Sequence, residues 1–240
     1  MRKYLLPAAL ALSALSAPAH AIDKNVYVGL EGGVWLVNDI KADTDGFAFN
    51  PFPGPLSLTV PSDTGINADL KTGYDVDAVA GYDWGLARTE LELGIKHAKF
   101  DKVAVGESNI FAGVHDAGGY INNFSLMANV LADIPVAGFT ISAGPGIGWG
   151  KMRVHAQVDL HDTGDSTSKL NNELASGLMW QLTGGVRKQV GPRAEIGLKY
   201  RYLNSGKRSF DTGIYGDARA KLQAHSVLAS LIYNFGPGKP

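Results

Sequence analysis

The C-terminal segment from Arg219 to Phe235 alternates apolar and mixed side chains with a period of two. Successive side chains of an extended strand point to opposite faces, so this period predicts a β-strand with one apolar face. The apolar face carries Val227, Ala229, Leu231, Tyr233 and Phe235, and the other face carries Ala224, Ser226, Leu228, Ser230, Ile232 and Asn234. A strand with an apolar face that ends in aromatic residues is typical of a membrane barrel, in which aromatic girdles mark the water boundaries.

The N-terminal segment has the three parts of a secretory signal. Met1 to Lys3 is basic, Tyr4 to Ala17 is apolar, and Ala19-His20-Ala21 is a small-x-small cleavage site. The apolar run is shorter than the roughly 18 to 20 residues that a membrane-spanning helix needs. We therefore predict export, with residues 1–21 as a cleaved signal peptide, residues 22–235 as a barrel domain and residues 236–240 as a short tail.

Composition excludes several classes of protein. Without the signal, the 22 basic residues fall to 20 against 23 acidic ones, a formal charge of −3 that does not indicate nucleic-acid binding. The chain has no cysteine, which excludes disulfides, a thiol nucleophile and a cysteine zinc site. After the signal no apolar run approaches the length of a spanning helix, and a closed barrel is the other structure that satisfies its backbone in hydrocarbon.

Eight segments have strand character, and the connections between them alternate between long and short. We predict strands near residues 25–37, 72–83, 88–100, 121–133, 139–152, 176–189, 193–204 and 219–235. The long connections are 38–71, 101–120, 153–175 and 205–218, and the short ones are 84–87, 134–138 and 190–192. This rhythm predicts an all-β fold, an eight-stranded antiparallel transmembrane β-barrel with four long surface loops and three short periplasmic turns.

Charged side chains fall on the strand faces opposite the apolar stripes. They predict a charge network in the barrel lumen, formed by Asp75, Asp77, Glu90, Glu92, Lys96, Arg187, Glu195, Lys199 and Arg201. A soluble lipocalin-type barrel would have the same alternation with its apolar face inside, so alternation by itself does not choose between the two.

Two features favour lipid on the outside. Gly144, Gly146, Gly148 and Gly150 share the presumed inner face of the fifth strand, where small residues make room in a narrow interior. Aromatic residues also cluster at strand ends, as membrane-interface anchors do. They are Tyr27, Tyr74, Tyr82, Trp84, Trp149, Tyr200, Tyr202, Tyr233 and Phe235.

Four stretches of the sequence resemble the small OmpA-like outer-membrane β-barrels of Gram-negative bacteria, and the resemblance covers nearly the whole mature chain. The stretches are Tyr27-Val28-Gly29, Gly144 to Gly150, Ala194 to Tyr202 and His225 to Phe235. The resemblance implies that Tyr233 and Phe235 are the signal read by the barrel-assembly machinery, although Ser230 stands where a glycine is common. Gly236-Pro237-Gly238 is similar to the start of the hinge that leads to a peptidoglycan-binding domain in longer relatives. That domain is not in this sequence, so peptidoglycan attachment is not implied.

Eight strands enclose a lumen just wide enough for side chains to fill, and an unpaired buried charge costs several kcal/mol. We therefore predict that the lumen charges pair into a plug that holds the strands in register. The alternative is a gated path of the porin family, a narrow channel for ions or small solutes.

Other groups of residues in the sequence give only weak indications of a catalytic or binding site. Gly144 to Gly150 lacks the helix that a phosphate-binding loop needs, and the neighbours His225 and Ser226 point to opposite strand faces, which argues against a lipid-modifying hydrolase. The polar residues at 43–46 and 155–165 could bind a cation but suit a solvated loop better. We predict no enzyme activity, no cofactor and no metal site.

The resulting prediction is a structural or surface-interaction protein of the bacterial cell envelope. Its expected partners are outer-membrane lipid, the barrel-assembly machinery and an extracellular partner of the long loops. The first of those loops is unusual, because Phe47 to Pro61 is rich in phenylalanine and proline. Proline removes backbone donors, so we expect this segment to form a lid or a partner-binding surface rather than a central strand.

Overall fold

The computed structural model describes the backbone of residues 24–38, 40–44, 47–49, 58–60, 66–105, 113–159, 167–211 and 217–236, and the side chains of residues 24–38, 69–102, 119–155, 176–206 and 221–236. The predicted signal peptide lies outside the described residues. Within them there is no helix long and apolar enough to cross a bilayer.

The described chain forms twelve β-strands. They are β1 (Asn25–Val37), β2 (Ile40–Thr44), β3 (Phe47–Phe49), β4 (Leu58–Val60), β5 (Ile66–Leu70), β6 (Gly73–Asp83), β7 (Ala87–Val105), β8 (Gly113–Val136), β9 (Phe139–Asp159), β10 (Thr167–Gln189), β11 (Ala194–Asp211) and β12 (Asp217–Asn234). Eight of them, β1 and β6 to β12, each pair antiparallel with the next, and β12 pairs with β1. The result is a closed barrel, which confirms the predicted fold.

The first long connection continues the barrel wall beyond the ends of β1 and β6. β2 and β5 pair with each other and lie between β12 and β7. Ile40 lies opposite Ala68, the same register that places Trp35 opposite Gly73, so β1–β2 and β5–β6 form one long interrupted hairpin. β3 and β4 pair only with each other in a second small sheet, and the prolines between them lie outside the described residues.

Several strands are longer than predicted, mainly at the loop end, although β8 also continues to Val136 through part of the predicted short connection 134–138. β8, β9 and β10 contain 24, 21 and 23 residues, whereas the prediction ended them where the apolar alternation fades. Backbone pairing does not need an apolar face, and Ala117 still pairs with Val158 well above that point. At about 3.3 Å per residue, β8 is about 80 Å long, whereas about 9 to 11 residues suffice to cross the hydrocarbon. These strands therefore extend beyond the bilayer.

The short connections are tight turns at the other end of the barrel. Ala137 and Gly138 join β8 to β9, and both have positive φ angles of 49° and 83°. Two successive positive φ values define the type I′ hairpin turn, whose twist matches that of the flanking strands. In the β6–β7 turn, Gly85 N–H donates to Asp83 Oδ1 at 2.7 Å.

The apolar faces of the strands point outward. Leu30, Leu91 and Leu231 are 66%, 59% and 58% exposed, whereas Glu92 and Arg201 are fully buried. A soluble barrel would have the opposite arrangement, because it has to bury its apolar side chains. The three-dimensional structure thus decides the question that alternation left open, in favour of a lipid-facing exterior.

Glycines on β9 create the space that interior side chains occupy. A Cβ atom at Gly146 would overlap Asn129 Oδ1, and one at Gly150 would overlap Met179 Sδ. Both glycines point into the lumen and are buried. β9 therefore has to carry glycine at these two positions, so that side chains of the neighbouring strands can fill the interior.

Replacing Gly146 by alanine is expected to destabilise the folded barrel by about 1 to 3 kcal/mol, the usual cost of overpacking an interior. The matched control is Gly32→Ala, because a Cβ atom at Gly32 meets nothing within 4 Å. Urea-induced unfolding in phospholipid vesicles measures both. Equal stability of the two variants would contradict the close packing against Asn129.

Candidate functional site in the barrel interior

All nine residues predicted as lumen charges lie on the inner face of the barrel. Eight are buried, and the side chain of Lys199 is 11% exposed. The structure adds three charged residues that the prediction missed, Glu31, Arg88 and Asp133. Arg88 precedes the predicted inward residue Glu90 by two positions, so extending the period of two along β7 finds it. Glu31 and Asp133 lie on β1 and β8, where no lumen charge was predicted.

Arg201 is the centre of the network. Its Nη1 lies 2.9 Å from Asp75 Oδ2, and its Nη2 lies 2.8 Å from Asp77 Oδ2 and 3.0 Å from Glu92 Oε2. β11, which carries Arg201, is separated from β6 by β12 and β1. These ion pairs therefore cross the lumen and connect opposite walls of the barrel.

The two β6 carboxylates have further partners. Lys96 Nζ lies 3.1 Å from both Asp75 Oδ1 and Asp77 Oδ1. Ser226 Oγ donates to Asp75 Oδ2 at 2.6 Å. A lysine and an arginine thus approach the same pair of carboxylates from different strands.

Glu92 is held by neutral donors as well as by Arg201. Asn129 Nδ2 donates to Glu92 Oε2 at 3.2 Å, and Gln181 Nε2 lies 3.3 Å from both carboxylate oxygens. Gln181 Nε2 also donates to Asn129 Oδ1 at 2.8 Å. The contacts span β7, β8 and β10, so one buried carboxylate ties three strands together.

A second cluster lies nearer the short turns. Asp133 Oδ2 is 2.7 Å from Arg88 Nε and 2.8 Å from Arg187 Nη2. Arg187 Nη1 also pairs with Glu195 Oε2 at 2.8 Å, and Arg88 Nη2 donates to Ser142 Oγ at 2.8 Å. Asp133 therefore separates two guanidinium groups that would otherwise face each other.

Lys199 links the two clusters. Its Nζ lies 2.6 Å from Glu31 Oε1 and 3.5 Å from Glu90 Oε2. A cavity of about 20 Å³ lies beside Lys199 and the second cluster, lined by Glu31, Glu90 and Arg88 among others. That volume is about what a single water molecule needs.

The prediction that Tyr27 anchors the barrel at the membrane interface is wrong. Tyr27 is fully buried, its hydroxyl donates to Glu90 Oε1 at 2.8 Å, and the Arg88 guanidinium lies 5.5 Å from its ring centroid. Tyr27 and Glu31 are four residues apart on β1, so their side chains lie on the same face of the strand. Tyr27 therefore points inward despite its place near a strand end. The other aromatic residues in that prediction are exposed or half-buried.

Apolar side chains fill the interior at the loop end. They form two clusters, one of Met127, Met179 and Leu203, and one of Trp35, Ala98, Ile121, Met152, Leu222 and Ala224. Beside the larger cluster the outer face becomes polar on β7 and β9, because Ala98 lies between His97 and Lys99, and Met152 between Lys151 and Arg153. On these two strands the wall thus changes from charged inside and apolar outside to apolar inside and polar outside. This reversal marks the boundary between hydrocarbon and water.

The structure separates His225 from Ser226, as strand geometry predicts. Ser226 bonds to Asp75 in the lumen, whereas His225 Nδ1 lies 2.6 Å from the Tyr200 hydroxyl on the outside. Among the described residues no group of three or more His, Asp or Glu side chains is arranged to hold a metal ion. Of the polar residues considered at 155–165, His155 packs against Tyr120 with a ring-centroid distance of 4.6 Å, and the side chains of the others lie outside the described part.

Replacing Asp133 by asparagine is expected to lower the free energy of unfolding by about 1 to 3 kcal/mol, because it leaves Arg88 and Arg187 facing each other without the shared carboxylate. The matched control is Asp101→Asn. Asp101 pairs with Lys71 at 3.4 Å on the exposed surface, where solvent screens the ion pair and little change is expected. Denaturant unfolding of both variants in vesicles measures the difference, and an equally small loss for Asp133 would contradict its bridging role.

A closed eight-stranded barrel with an apolar exterior, exposed aromatic residues and a charged interior defines the class of transmembrane β-barrels. The sequence profile described as "Outer membrane protein beta-barrel domain" matches residues 8–235, so the chain belongs to this family. The protein is therefore a barrel of the bacterial outer membrane.

Individual relatives are distant. "Putative adhesin A1E_05320" of Rickettsia canadensis is 23% identical over 245 residues, which cover 98% of this chain and 100% of the relative. The outer membrane protein OprG from Pseudomonas aeruginosa has a similar fold, with a TM-score of 0.55, 8% identity and coverage of 88% of this chain and 97% of OprG. Neisserial surface protein A aligns with 17% identity, a TM-score of 0.45 and the same coverage, 88% and 97%.

Proposed function

We propose that the protein is a non-conducting, non-enzymatic outer-membrane barrel whose function lies at its loop end, where it contacts an extracellular partner. The observation that carries the non-conducting part of this proposal is that side chains fill the barrel interior. Ion pairs occupy the lumen from the short turns to its middle, and the apolar layer around Trp35 and Ile121 lies above them. A solute would have to separate buried charge pairs and then cross a dry layer, both at high cost.

The extended strands support a role outside the membrane. β8, β9 and β10 are about twice as long as the 9 to 11 residues that cross hydrocarbon. Their upper parts therefore extend beyond the lipid headgroups. The Rickettsia relative that matches along its whole length is described as a putative adhesin, a role that such a raised surface suits.

The test displays the full chain on a non-adherent Gram-negative host and measures attachment to cultured cells and to immobilised extracellular matrix proteins. The comparison variant replaces residues 160–166 and 212–216, two connections at the loop end, by short Gly-Ser linkers. We expect attachment that the variant lacks although it folds equally well. Equal attachment of the two proteins, or none by either, would refute a surface-binding role for these loops.

Planar-bilayer recordings test the competing channel function. We expect no current steps from the purified barrel. Steps that disappear when Lys199 or Arg201 is replaced would instead show that the lumen conducts.

The mass of lipid A from the displaying host should also stay unchanged, whereas a shift would indicate a lipid-modifying enzyme.

We also propose that Tyr233 and Phe235 form the signal for the barrel-assembly machinery. They lie on the lipid face, 43% and 57% exposed, with their rings edge to face at 5.2 Å. Phe235→Ala should lower the amount of folded barrel in outer-membrane fractions severalfold, whereas Phe139→Ala, on the outer face of β9, should not. A heat-modifiable gel band quantifies folded protein, and equal yields would contradict the assignment.

A further inference from the structure

Three cationic side chains form a basic patch on the outer wall of β7 and β9. The basic patch consists of Lys99, Lys151 and Arg153, all exposed. In the described part of the structure none of the three has a hydrogen bond or ion pair. This distinguishes them from Lys71, which pairs with Asp101, and from the buried lysines of the lumen.

The strand register places the basic patch directly above the apolar band. Lys151 lies opposite Phe124, which lies opposite Ile95 on the next strand. Trp149, one outward position below Lys151, is 58% exposed. Acyl chains that cover these apolar residues would therefore bring their headgroups to the height of the cations.

The aromatic chain Tyr74–His97–Tyr120–His155 crosses the outer wall from β6 to β9 beside the basic patch. Successive ring centroids are 5.2, 5.4 and 4.6 Å apart. Aromatic residues of this kind are enriched where a membrane protein crosses from hydrocarbon to headgroups. Tyr120 lies opposite Lys99, and Asn122 lies opposite Arg153, so the basic patch is interleaved with the interfacial aromatic chain.

We propose that the basic patch is a binding site for the phosphate of a lipid headgroup in the outer leaflet. Lys151 and Arg153 point outward two residues apart on one strand, about 7 Å from each other, which lets both approach one phosphorylated headgroup. Arginine and lysine are the usual partners of phosphate. A membrane lipid fits better than a soluble anion, because the apolar surface below the cations would hold its chains at the same time.

This inference does not depend on the proposed surface-binding function. The test is native mass spectrometry of the detergent-solubilised full chain, titrated with bisphosphorylated lipid A or with enzymatically dephosphorylated lipid A. We compare the wild type with the triple variant K99Q/K151Q/R153Q. The matched control is K24Q/K188Q/K221Q, which removes three exposed lysines elsewhere.

We expect bisphosphorylated lipid A to bind the triple variant about 100-fold more weakly than the wild type, since each cation near a membrane surface contributes about a factor of five. The control variant should bind as the wild type does, and the dephosphorylated lipid should bind all three proteins equally weakly. An unchanged affinity of the triple variant would overturn the proposal. So would equal binding of the two lipids by the wild type, or competition by millimolar inorganic phosphate, which would indicate a simple anion site.

Folding of the variants is checked by their heat-modifiable migration. The substituted side chains are exposed and form no ion pair within the described residues, so we expect all variants to fold. Should the triple variant fold poorly, the single variant Arg153→Gln provides the same comparison. Its affinity for bisphosphorylated lipid A is expected to fall about fivefold, and no change would count against the site.

Discussion

Replacing Arg201 by methionine is expected to destabilise the folded barrel by about 3 to 5 kcal/mol, the usual cost of removing one partner from a buried ion pair. The change leaves Asp75 and Asp77 with Lys96 as their remaining ion-pair partner, and it leaves Glu92 with hydrogen bonds from the neutral amides of Asn129 and Gln181. Urea-induced unfolding in phospholipid vesicles, followed by tryptophan fluorescence and by heat-modifiable migration, measures the loss.

The control for this experiment is Arg193→Met. Arg193 is exposed near the short turns, with a single long contact of 3.4 Å to the Tyr233 hydroxyl, and its loss should change stability little. A rescue variant adds Asp77→Asn and Glu92→Gln to Arg201→Met, and it should recover a large part of the lost stability because fewer charges remain unpaired. If the rescue variant is no more stable than the single one, uncompensated charge is not the cause.

Replacing Leu93 by arginine is expected to destabilise the barrel by about 2 to 4 kcal/mol, the cost of a cation on the lipid face near the bilayer midplane. Leu93 is 45% exposed in the middle of β7 and lies opposite Ala78 and Leu126. It is two outward positions from His97 in the aromatic chain, so the arginine head would have to stay in hydrocarbon or distort the bilayer. The same unfolding assay in vesicles measures the effect.

Ser176→Arg is the matched control, because Ser176 is exposed on the outer face of β10 and pairs with Lys151 above the apolar band. We expect a small effect there. Performing both measurements in detergent micelles should shrink the difference, since a micelle adapts to a charge more readily than a bilayer does. If Leu93→Arg were harmless in vesicles, β7 would not face hydrocarbon at this height, and the assignment of the exterior would fail.

Neutral donors complete the interior network. The described interior contains seven buried carboxylates, Glu31, Asp75, Asp77, Glu90, Glu92, Asp133 and Glu195, and five cations, Arg88, Lys96, Arg187, Lys199 and Arg201. Hydrogen bonds from Tyr27, Asn129, Gln181 and Ser226 stabilise the carboxylates that cations do not fully cover. Ion pairs and hydrogen bonds that cross the lumen in this way hold the strands in one register, because a shift by one residue would turn every charge toward lipid.

Much of the interior could be predicted because strand geometry links position to face. The nine predicted charges all point inward, and Arg88 follows the period of two that Glu90 and Glu92 set on β7. Glu31 and Asp133 were missed because no lumen charge was predicted on β1 or β8. Tyr27 was misplaced because an aromatic residue near a strand end suits both an interface and a lumen hydrogen bond. The loop ends of the strands were also missed, since backbone pairing continues there without the apolar alternation that marks the membrane part.

The amino-acid sequence by itself determined the number of barrel strands, the short turns, and which side chains share a face, because all of these depend on local periodicity and turn chemistry. Only the tertiary structure decided which face is the interior and which charges meet. The alternation of side chains along a strand is the same whichever face points inward. It also does not show which residues meet across the lumen. Arg201 reaches Asp75 and Asp77 because closure of the sheet brings β11 opposite β6, and that geometry exists only in the complete barrel.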